Sequence, residues 1–367
     1  MRRIVAQAGL LVGLFAAEGC QSSNHDALVA RPEGPDAGGS GGYALDGAAG
    51  KDSASEEPEG ATDTGVDDSS DDADDTGVTP DGPSRLTIVN GLADSGAIRV
   101  CFHSGNGAAL SPLAVAPSPE DATGLVFAHG MVLDGLPGGV DLATQDVRVV
   151  AYAGDMAALG SKTCDALDPA PPGVVEASLQ VIPAGSLVAG RSVLLVVAGC
   201  AGGVGHEGAG IDQACGKGYS LTKPNATLLV ATMTRAPDAD RIGLQAFGGS
   251  IAAQSLSLRY TTSEQFATDL SQDVVPGEIA PKPPTVVLTG QSLGFKPEEG
   301  KLDVMEKGQS AVAASALLGE ALSRGSLGLG DFVNGRNYTI VWVGAREGTA
   351  PGAWWMPFTM LVIRSDP

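Results

Sequence analysis

Basic residues are scarce in this sequence. Its 367 residues include 22 Lys and Arg against 43 Asp and Glu, which gives a net charge of −21 at pH 7. Nucleic acids and anionic lipid surfaces are bound through clustered cations. The composition therefore predicts no nucleic-acid partner and no docking on anionic lipid headgroups.

Long apolar runs are also lacking. The N-terminal run Ile4–Ala17, interrupted at Gln7, is shorter than the about 20 residues that a membrane-spanning helix needs. It follows Arg2 and Arg3 and leads through small residues to Cys20. A basic start, a short apolar core and small residues before a cut are typical of an export signal.

Residues 1–20 resemble a bacterial lipoprotein signal peptide, in which the cysteine is acylated and becomes the new N-terminus. The resemblance implies a lipid on Cys20 and a membrane anchor in the cell envelope, at the outer membrane or cell surface. Glu18 departs from the pattern, which has a small or apolar residue there. The alternative is ordinary secretion, with Cys20 merely close to the cleavage point.

Cysteine is infrequent, with five residues in the chain. Assigning Cys20 to lipid leaves Cys101, Cys164, Cys200 and Cys215, which can pair in three ways. Sequence proximity favours Cys101–Cys164 and Cys200–Cys215. Export would place these residues in an oxidising compartment, where disulfides persist.

Large apolar side chains are few in residues 21–84. This stretch carries 16 of the Asp and Glu residues and 2 of the Lys and Arg residues, and it is rich in glycine. It cannot bury enough apolar surface to offset the entropy of ordering. The sequence predicts a disordered, acidic linker between the membrane and a folded part.

From Arg85 onward, short β-branched runs alternate with turn residues. The predicted strands include Leu86–Val89, Ile98–Phe102, Val147–Tyr152, Val193–Ala198, Leu228–Thr232, Ile242–Phe247, Val286–Leu288 and Tyr338–Val343. Runs of this length indicate an all-β fold of β-sandwich-like, immunoglobulin-like units. The Ala-rich stretch Ser310–Arg324 is the exception, predicted as one helix or as a hairpin broken at Gly319.

A faint internal repeat suggests two such units in tandem. Strands from Leu86 and Ile98 open the first half, strands from Leu228 and Ile242 open the second, and Arg191–Gly199 corresponds to Gly335–Gly344. A repeat of this length is typical of tandem modules. The predicted units are 85–222 and 223–367.

The turn Ala236-Pro237-Asp238-Ala239-Asp240 between two strands, followed by the late strand Asn337–Gly344, resembles the domain-of-unknown-function 4397 family. The first unit lacks the proline, with Leu92-Ala93-Asp94-Ser95 in its place. The resemblance implies β-rich modules of exported bacterial surface proteins. It implies no catalytic residues, because the family has none known.

Three motifs suggest chemistry without the context it needs. Gly290-Gln291-Ser292-Leu293-Gly294 fits a hydrolase elbow, but Pro297 follows closely and every histidine lies upstream. The GxGxxG run from Gly203 to Gly208 is better explained as a Gly-rich loop closed by a disulfide. Cys101, His103, Cys200, His206 and Cys215 lack zinc-site spacing, so we predict no metal.

Aromatic residues make up 4% of the chain, and Trp354 and Trp355 lie in its one dense aromatic cluster. Exposed, they would contact a protein or a carbohydrate. The competing interpretation is that Trp355 and Phe358 alternate into the core of the last strand.

These observations predict a lipid-anchored, exported protein of the cell envelope with a non-catalytic binding, adhesion or structural role and no cofactor. Its ligand would be a protein or a glycan. The alternative is an envelope hydrolase or carbohydrate-active enzyme. A cleft with paired acids, or with a histidine near Ser292, would favour that alternative.

Overall fold

The structure is a computed structural model that describes residues 82–104, 124–133, 141–154, 159, 164–235, 239–253, 255–261, 267–287, 297–306, 311–345 and 354–367. The chain divides into two compact units, Met1–Asp71 and Asp72–Pro367, and every described residue belongs to the second. The predicted signal peptide, Cys20, nearly all of the linker 21–84 and Ser292 lie outside the described residues.

The described elements are mostly strands. Those of the first half are β1 (Arg85–Leu92), β2 (Ala97–Ser104), β3 (Leu125–Val126), β4 (Gly130–Leu133), β5 (Val147–Gly154), β6 (Val174–Ile182), β7 (Ser192–Gly199) and β8 (Thr227–Met233). Those of the second half are β9 (Ile242–Gly248), β10 (Leu256–Thr261), β11 (Ala267–Val274), β12 (Ile279–Val287), β13 (Lys301–Glu306), β14 (Val312–Leu317), β15 (Arg336–Val343) and β16 (Thr359–Arg364). Two short helices, α1 (Ile211–Cys215) and α2 (Leu318–Arg324), accompany them.

These strands form four sheets of four strands. Sheet I has the order β4-β1-β7-β8, sheet II β3-β2-β5-β6, sheet III β12-β9-β15-β16 and sheet IV β11-β10-β13-β14. Adding eight to each strand number of sheets I and II gives sheets III and IV. The two parallel pairs, β1 with β7 and β9 with β15, correspond as well. The second half therefore repeats the topology of the first.

The prediction of an all-β fold made of sandwich units is confirmed. The strand order adds a difference from an immunoglobulin domain, which places strands A, B, E and D in one sheet and C, F and G in the other. Here the first and seventh strands of each unit pair in parallel at the centre of a sheet.

Three apolar cores stack the sheets in the order II, I, III, IV. One core joins sheets I and II, a second joins sheets III and IV, and a third joins sheet I to sheet III. Along β7, Leu195 faces the first core and Leu194 faces the third. Both faces of β7 are covered, which is why Val193–Ala198 is a continuous apolar run.

The strand pairing refines the predicted units. β8 pairs antiparallel with β7 in sheet I, so it belongs to the first sandwich. The division after residue 222 stays a prediction, but it assigns β8 to the second unit, whereas the repeat in the structure restarts at Ile242 of β9.

The Ala-rich stretch is neither a single helix nor a broken hairpin. Its first part is β14, which pairs with β13, and its second part is α2, which begins at Leu318 before Gly319. Leu318, Ala321 and Leu322 of α2 are buried in the second core. In the described part of the chain, no helix has the length and apolar character to cross a membrane.

Candidate functional site

Three connections meet at one end of sheets I and III. The first is the β1–β2 turn around Asp94, and the second is the β7–β8 connection, which begins at Cys200. The third is the β15–β16 connection, of which the part from Trp354 to β16 is concerned here. In the repeat, the second and third are equivalent connections of the two sandwiches. The residues they bring together are far apart in the sequence.

Asp94 holds the first two connections together. Its carboxylate is fully buried, and its Oδ1 accepts a hydrogen bond from the Ala201 N–H at 3.0 Å. Its Oδ2 accepts from the Gly202 N–H at 2.7 Å and lies 3.0 Å from Nδ1 of His206. A carboxylate can only accept, so Nδ1 carries the proton in this contact. The buried charge thus has three hydrogen-bond donors, as a buried charge requires.

The ring of His206 lies close to Gly203 and to Trp354. A Cβ at Gly203 would lie 3.0 to 3.3 Å from three ring atoms of His206, so glycine lets the backbone approach the ring without crowding it. On Trp354 the imidazole stacks with ring centroids 4.3 Å apart and an interplanar angle of 23°. Because Asp94 fixes the imidazole and the imidazole stacks on Trp354, the histidine helps to hold the indole in place.

Trp354 is also fixed by its own nitrogen. Its Nε1–H donates to the Gly205 carbonyl at 3.1 Å, which ties the second sandwich to the β7–β8 connection of the first. Trp355 lies 6.4 Å from Trp354 between ring centroids, tilted by 59°. Trp354 is partly exposed, so the fixed indole still presents surface to solvent.

A disulfide and an asparagine close the β7–β8 connection. Cys200 and Cys215 are bonded, and both are fully buried. The Asn225 side chain accepts from the Cys200 N–H at 3.0 Å and donates to the Cys215 carbonyl at 2.6 Å. Tyr219 donates its hydroxyl to the His206 carbonyl at 3.1 Å. Burial, with the negative charges of Asp94 and Glu207, raises the pKa of Tyr219 to about 12.

The other disulfide joins Cys101 to Cys164, so the structure has the pairing that sequence proximity favours. Cys101 lies in β2, and Cys164 starts a short 3₁₀ turn, Cys164–Leu167, that covers the outer face of sheet II together with Leu159. Cysteines bonded in this way cannot act as thiolate ligands. Nowhere in the described ranges do three His, Cys, Asp or Glu side chains gather to hold a metal ion.

An open groove of about 820 Å³ lies beside this cluster. Its walls are apolar side chains and glycines, with Val204 fully exposed and Leu221 39% exposed. Among the described residues that line it, Asp94 is the one carboxylate, and neither Lys nor Arg is present. The hydroxyl of Ser95, also in the lining, donates to the Ala97 carbonyl at 2.8 Å and not to His206.

The groove offers binding more readily than catalysis. Glycoside hydrolysis usually needs two carboxyl groups across a cleft, and the described lining has one, with its oxygens already bonded. Acyl transfer by an Asp–His pair needs a nucleophile within hydrogen-bond reach of the histidine. The arrangement is instead that of a fixed aromatic surface supported from beneath.

Some of the residues predicted from sequence lie in the groove and others do not. Trp354 and Trp355 both pack on the cluster around the Cys200–Cys215 disulfide, and of the two only Trp354 lines the groove. Of the two residues that the competing interpretation placed in the core of the last strand, Phe358 is buried in the second core, just before β16, but Trp355 is not part of that core. The GxGxxG run lies in the disulfide-closed loop, and α1, the helix that follows it, has five residues.

Sequence reasoning missed the pairing of Asp94 with His206. Both residues were visible, one in a turn and one in the Gly-rich loop, but they are 112 positions apart. No local pattern joins them. His129, by contrast, contacts the carbonyl of Phe127 at 2.9 Å and takes no part in the site.

Comparison with solved structures finds similar chains of low identity. A candidate adhesin from Bacteroides ovatus aligns over 77% of this chain and 95% of its own, at 10% identity and a TM-score of 0.18. A candidate cell adhesion protein from Bacteroides eggerthii aligns over 78% and 96%, at 10% identity and a TM-score of 0.17. The fimbrial anchor protein Mfa2 from Porphyromonas gingivalis aligns over 76% and 94%, at 11% identity and a TM-score of 0.17.

At these scores the alignments carry no argument about function. No protein-family model and no curated protein matches the sequence. The resemblance to the domain-of-unknown-function 4397 family and the lipid on Cys20 stay predictions.

Proposed function

We propose that this chain is a lipid-anchored, exported binding protein of the bacterial cell envelope, at the outer membrane or cell surface, without catalytic activity. The groove beside Trp354 is its binding surface, and the lipid on Cys20 is its attachment. The tandem sandwiches also fit the proposed membership of the domain-of-unknown-function 4397 family, whose modules are β-rich and often in tandem.

The observation that carries the binding role is the construction of the groove. Asp94 has its hydrogen bonds satisfied inside the protein, and it supports His206, which in turn supports Trp354. Because the Asp94 carboxylate accepts hydrogen bonds from Ala201, Gly202 and His206, it is not available to exchange a proton with a substrate. The exposed part of the indole is then the functional surface.

Export is supported by the cysteines. The four bonded cysteines are buried, and disulfides of this kind persist in oxidising compartments and are rare in the cytosol of mesophiles. The lipid is supported by the sequence before Cys20 and by the odd cysteine that it removes from pairing.

Metabolic labelling with radioactive palmitate in a bacterium with two membranes tests the anchor. We expect label in the wild-type chain recovered from the membrane fraction, and none in Cys20→Ser. Because Cys20 is not among the bonded cysteines, the variant should still fold. Wild-type chain that stays unlabelled and cytosolic would refute both the lipid and the export.

A further inference from the structure

We propose that the groove beside Trp354 binds an uncharged carbohydrate chain, with a sugar ring stacked on the indole. This inference rests on the proposed function, because it names the ligand class of the same groove. It depends on four features of the described residues: the fixed indole, the volume of the groove, its charge and its exposed backbone.

The indole is held before any ligand arrives. The stack on His206 and the hydrogen bond from Nε1 to Gly205 set the plane and the rotation of the ring. Binding therefore need not immobilise this side chain, an ordering cost that weakens most interactions. The indole face that His206 does not cover is a rigid apolar surface, and it matches the C–H face of a pyranose chair, which is also rigid.

The size of the groove suits an oligomer. Its volume of about 820 Å³ lies within the roughly 300 to 1,000 Å³ typical of small-molecule sites. The groove is open to solvent, so a chain can enter it without being fully enclosed. Several sugar units fit such a space better than a single small metabolite, which would leave most of it filled with water.

The charge of the groove selects an uncharged ligand. The described lining offers no cation to pair with an acidic sugar, and the chain carries a net charge of −21. An anionic ligand would meet repulsion and lose its hydration without compensation. A cationic ligand finds no free carboxylate in this lining either, because Asp94 is fully buried and bonded.

Exposed backbone distinguishes a sugar from an apolar lipid chain. Five of the lining residues are glycines; Gly202 is buried with its N–H bonded to Asp94, whereas Gly96, Gly154 and Gly173 are exposed. Without side chains, these exposed glycines leave main-chain amide and carbonyl groups within reach of a ligand. The rim of hydroxyls on a sugar can bond to such groups, whereas a purely apolar ligand would bury them unpaired.

The test uses the folded full-length chain on a glycan array that carries neutral oligosaccharides and matched uronic-acid or sialylated ones. Any neutral hit is then titrated calorimetrically against three variants. Trp354→Ala should weaken binding at least about tenfold, and Trp354→Phe, which keeps a ring, should lose much less. Trp355→Ala is the matched control, since Trp355 lies next to Trp354 but outside the groove lining, and it should bind as the wild type does.

Each outcome decides something. No binding to neutral glycans, preference for the acidic ones, or equal loss in Trp354→Ala and Trp355→Ala would overturn the carbohydrate proposal. If a phage-displayed apolar peptide binds instead and is lost in Trp354→Ala, the groove remains the binding surface and only the ligand class is wrong. Palmitate labelling reads the anchor independently of both results.

Discussion

Gly199 and Gly185 have the same kind of backbone conformation but different surroundings. Both have positive φ, +88° and +82°, which costs an L-residue about 1–2 kcal/mol. At Gly199, where β7 ends, an added Cβ would lie 2.5 Å from the Asn225 carbonyl oxygen and 2.9 Å from Ile251. At Gly185 nothing lies within 4 Å of it. The two positions therefore separate backbone strain from crowding.

We predict that Gly199→Ala lowers the free energy of unfolding by about 3 kcal/mol or more, and Gly185→Ala by about 1 kcal/mol. The difference arises because the backbone carbonyl of Asn225 must move, and Asn225 also holds Cys200 and Cys215. Urea denaturation of both variants measures it. Equal losses would mean that the close approach at Gly199 has no energetic consequence.

At the same scale, the sequence identifies some site residues and hides others. Trp354 was recognisable because aromatic side chains are rare in the chain and two of them are adjacent there. Asp94 and His206 were not recognisable as a pair, because their contact depends on how sheet I brings the β1–β2 turn beside the end of β7. That pairing is a property of the fold and of no short segment.

Among the elements, β6 and β7 differ in how many of their faces are buried against a core. β6 is the edge of sheet II, and along it Leu179 is 7% exposed while Val181 is 52% exposed. Every residue of β7 is buried. An outer strand has one face on a core, whereas β7 lies between two cores.

We predict that Leu179→Ala lowers the free energy of unfolding by about 2–4 kcal/mol and Val181→Ala by less than about 0.5 kcal/mol. In β7, Leu194→Ala and Leu195→Ala should each cost about 2–5 kcal/mol, although their side chains point to opposite faces. Guanidinium denaturation gives all four values. If Leu194→Ala lowered the free energy of unfolding only slightly, the packing of sheet I on sheet III would be contradicted.

The elements also show where sequence patterns predict secondary structure and where they fail to do so. The apolar run Val193–Ala198 predicted a strand, and β7 spans it. The stretch 310–324 was not predicted correctly, since alanine suits strand and helix alike and only pairing with β13 makes Val312–Leu317 a strand. β12 contains three prolines and still pairs with β9, which is possible because it lies at the edge of sheet III.

For the whole molecule, the repeat was detectable but its starting point was not. β8 and β1 are both short β-branched strands, and so Leu228–Thr232 looked like a second beginning. In the structure this strand is β8, which pairs with β7 in sheet I. The site is not repeated with the fold, because the β9–β10 turn, Gly249–Ser255, has no acidic residue at all where the first sandwich has Asp94.

The shared core between sheets I and III makes a prediction for the molecule as a unit. Phe247 of β9 is fully buried in this third core, where it packs with residues of both sandwiches. Truncating it removes apolar contacts that belong to both. If the two sandwiches fold as one cooperative body, a loss at this position must destabilise each of them equally.

We predict that Phe247→Ala lowers the free energy of unfolding by about 3–5 kcal/mol, seen by hydrogen exchange as the same loss of protection in β5 of the first sandwich and β13 of the second. Val286→Ala is the control, because Val286 lies in the same sheet but is 45% exposed, and it should leave both strands protected. Loss confined to β13 would mean that the sandwiches unfold independently. The groove would then lose Trp354, which the second sandwich supplies, whenever that sandwich opens, even while Asp94 and His206 stay in place.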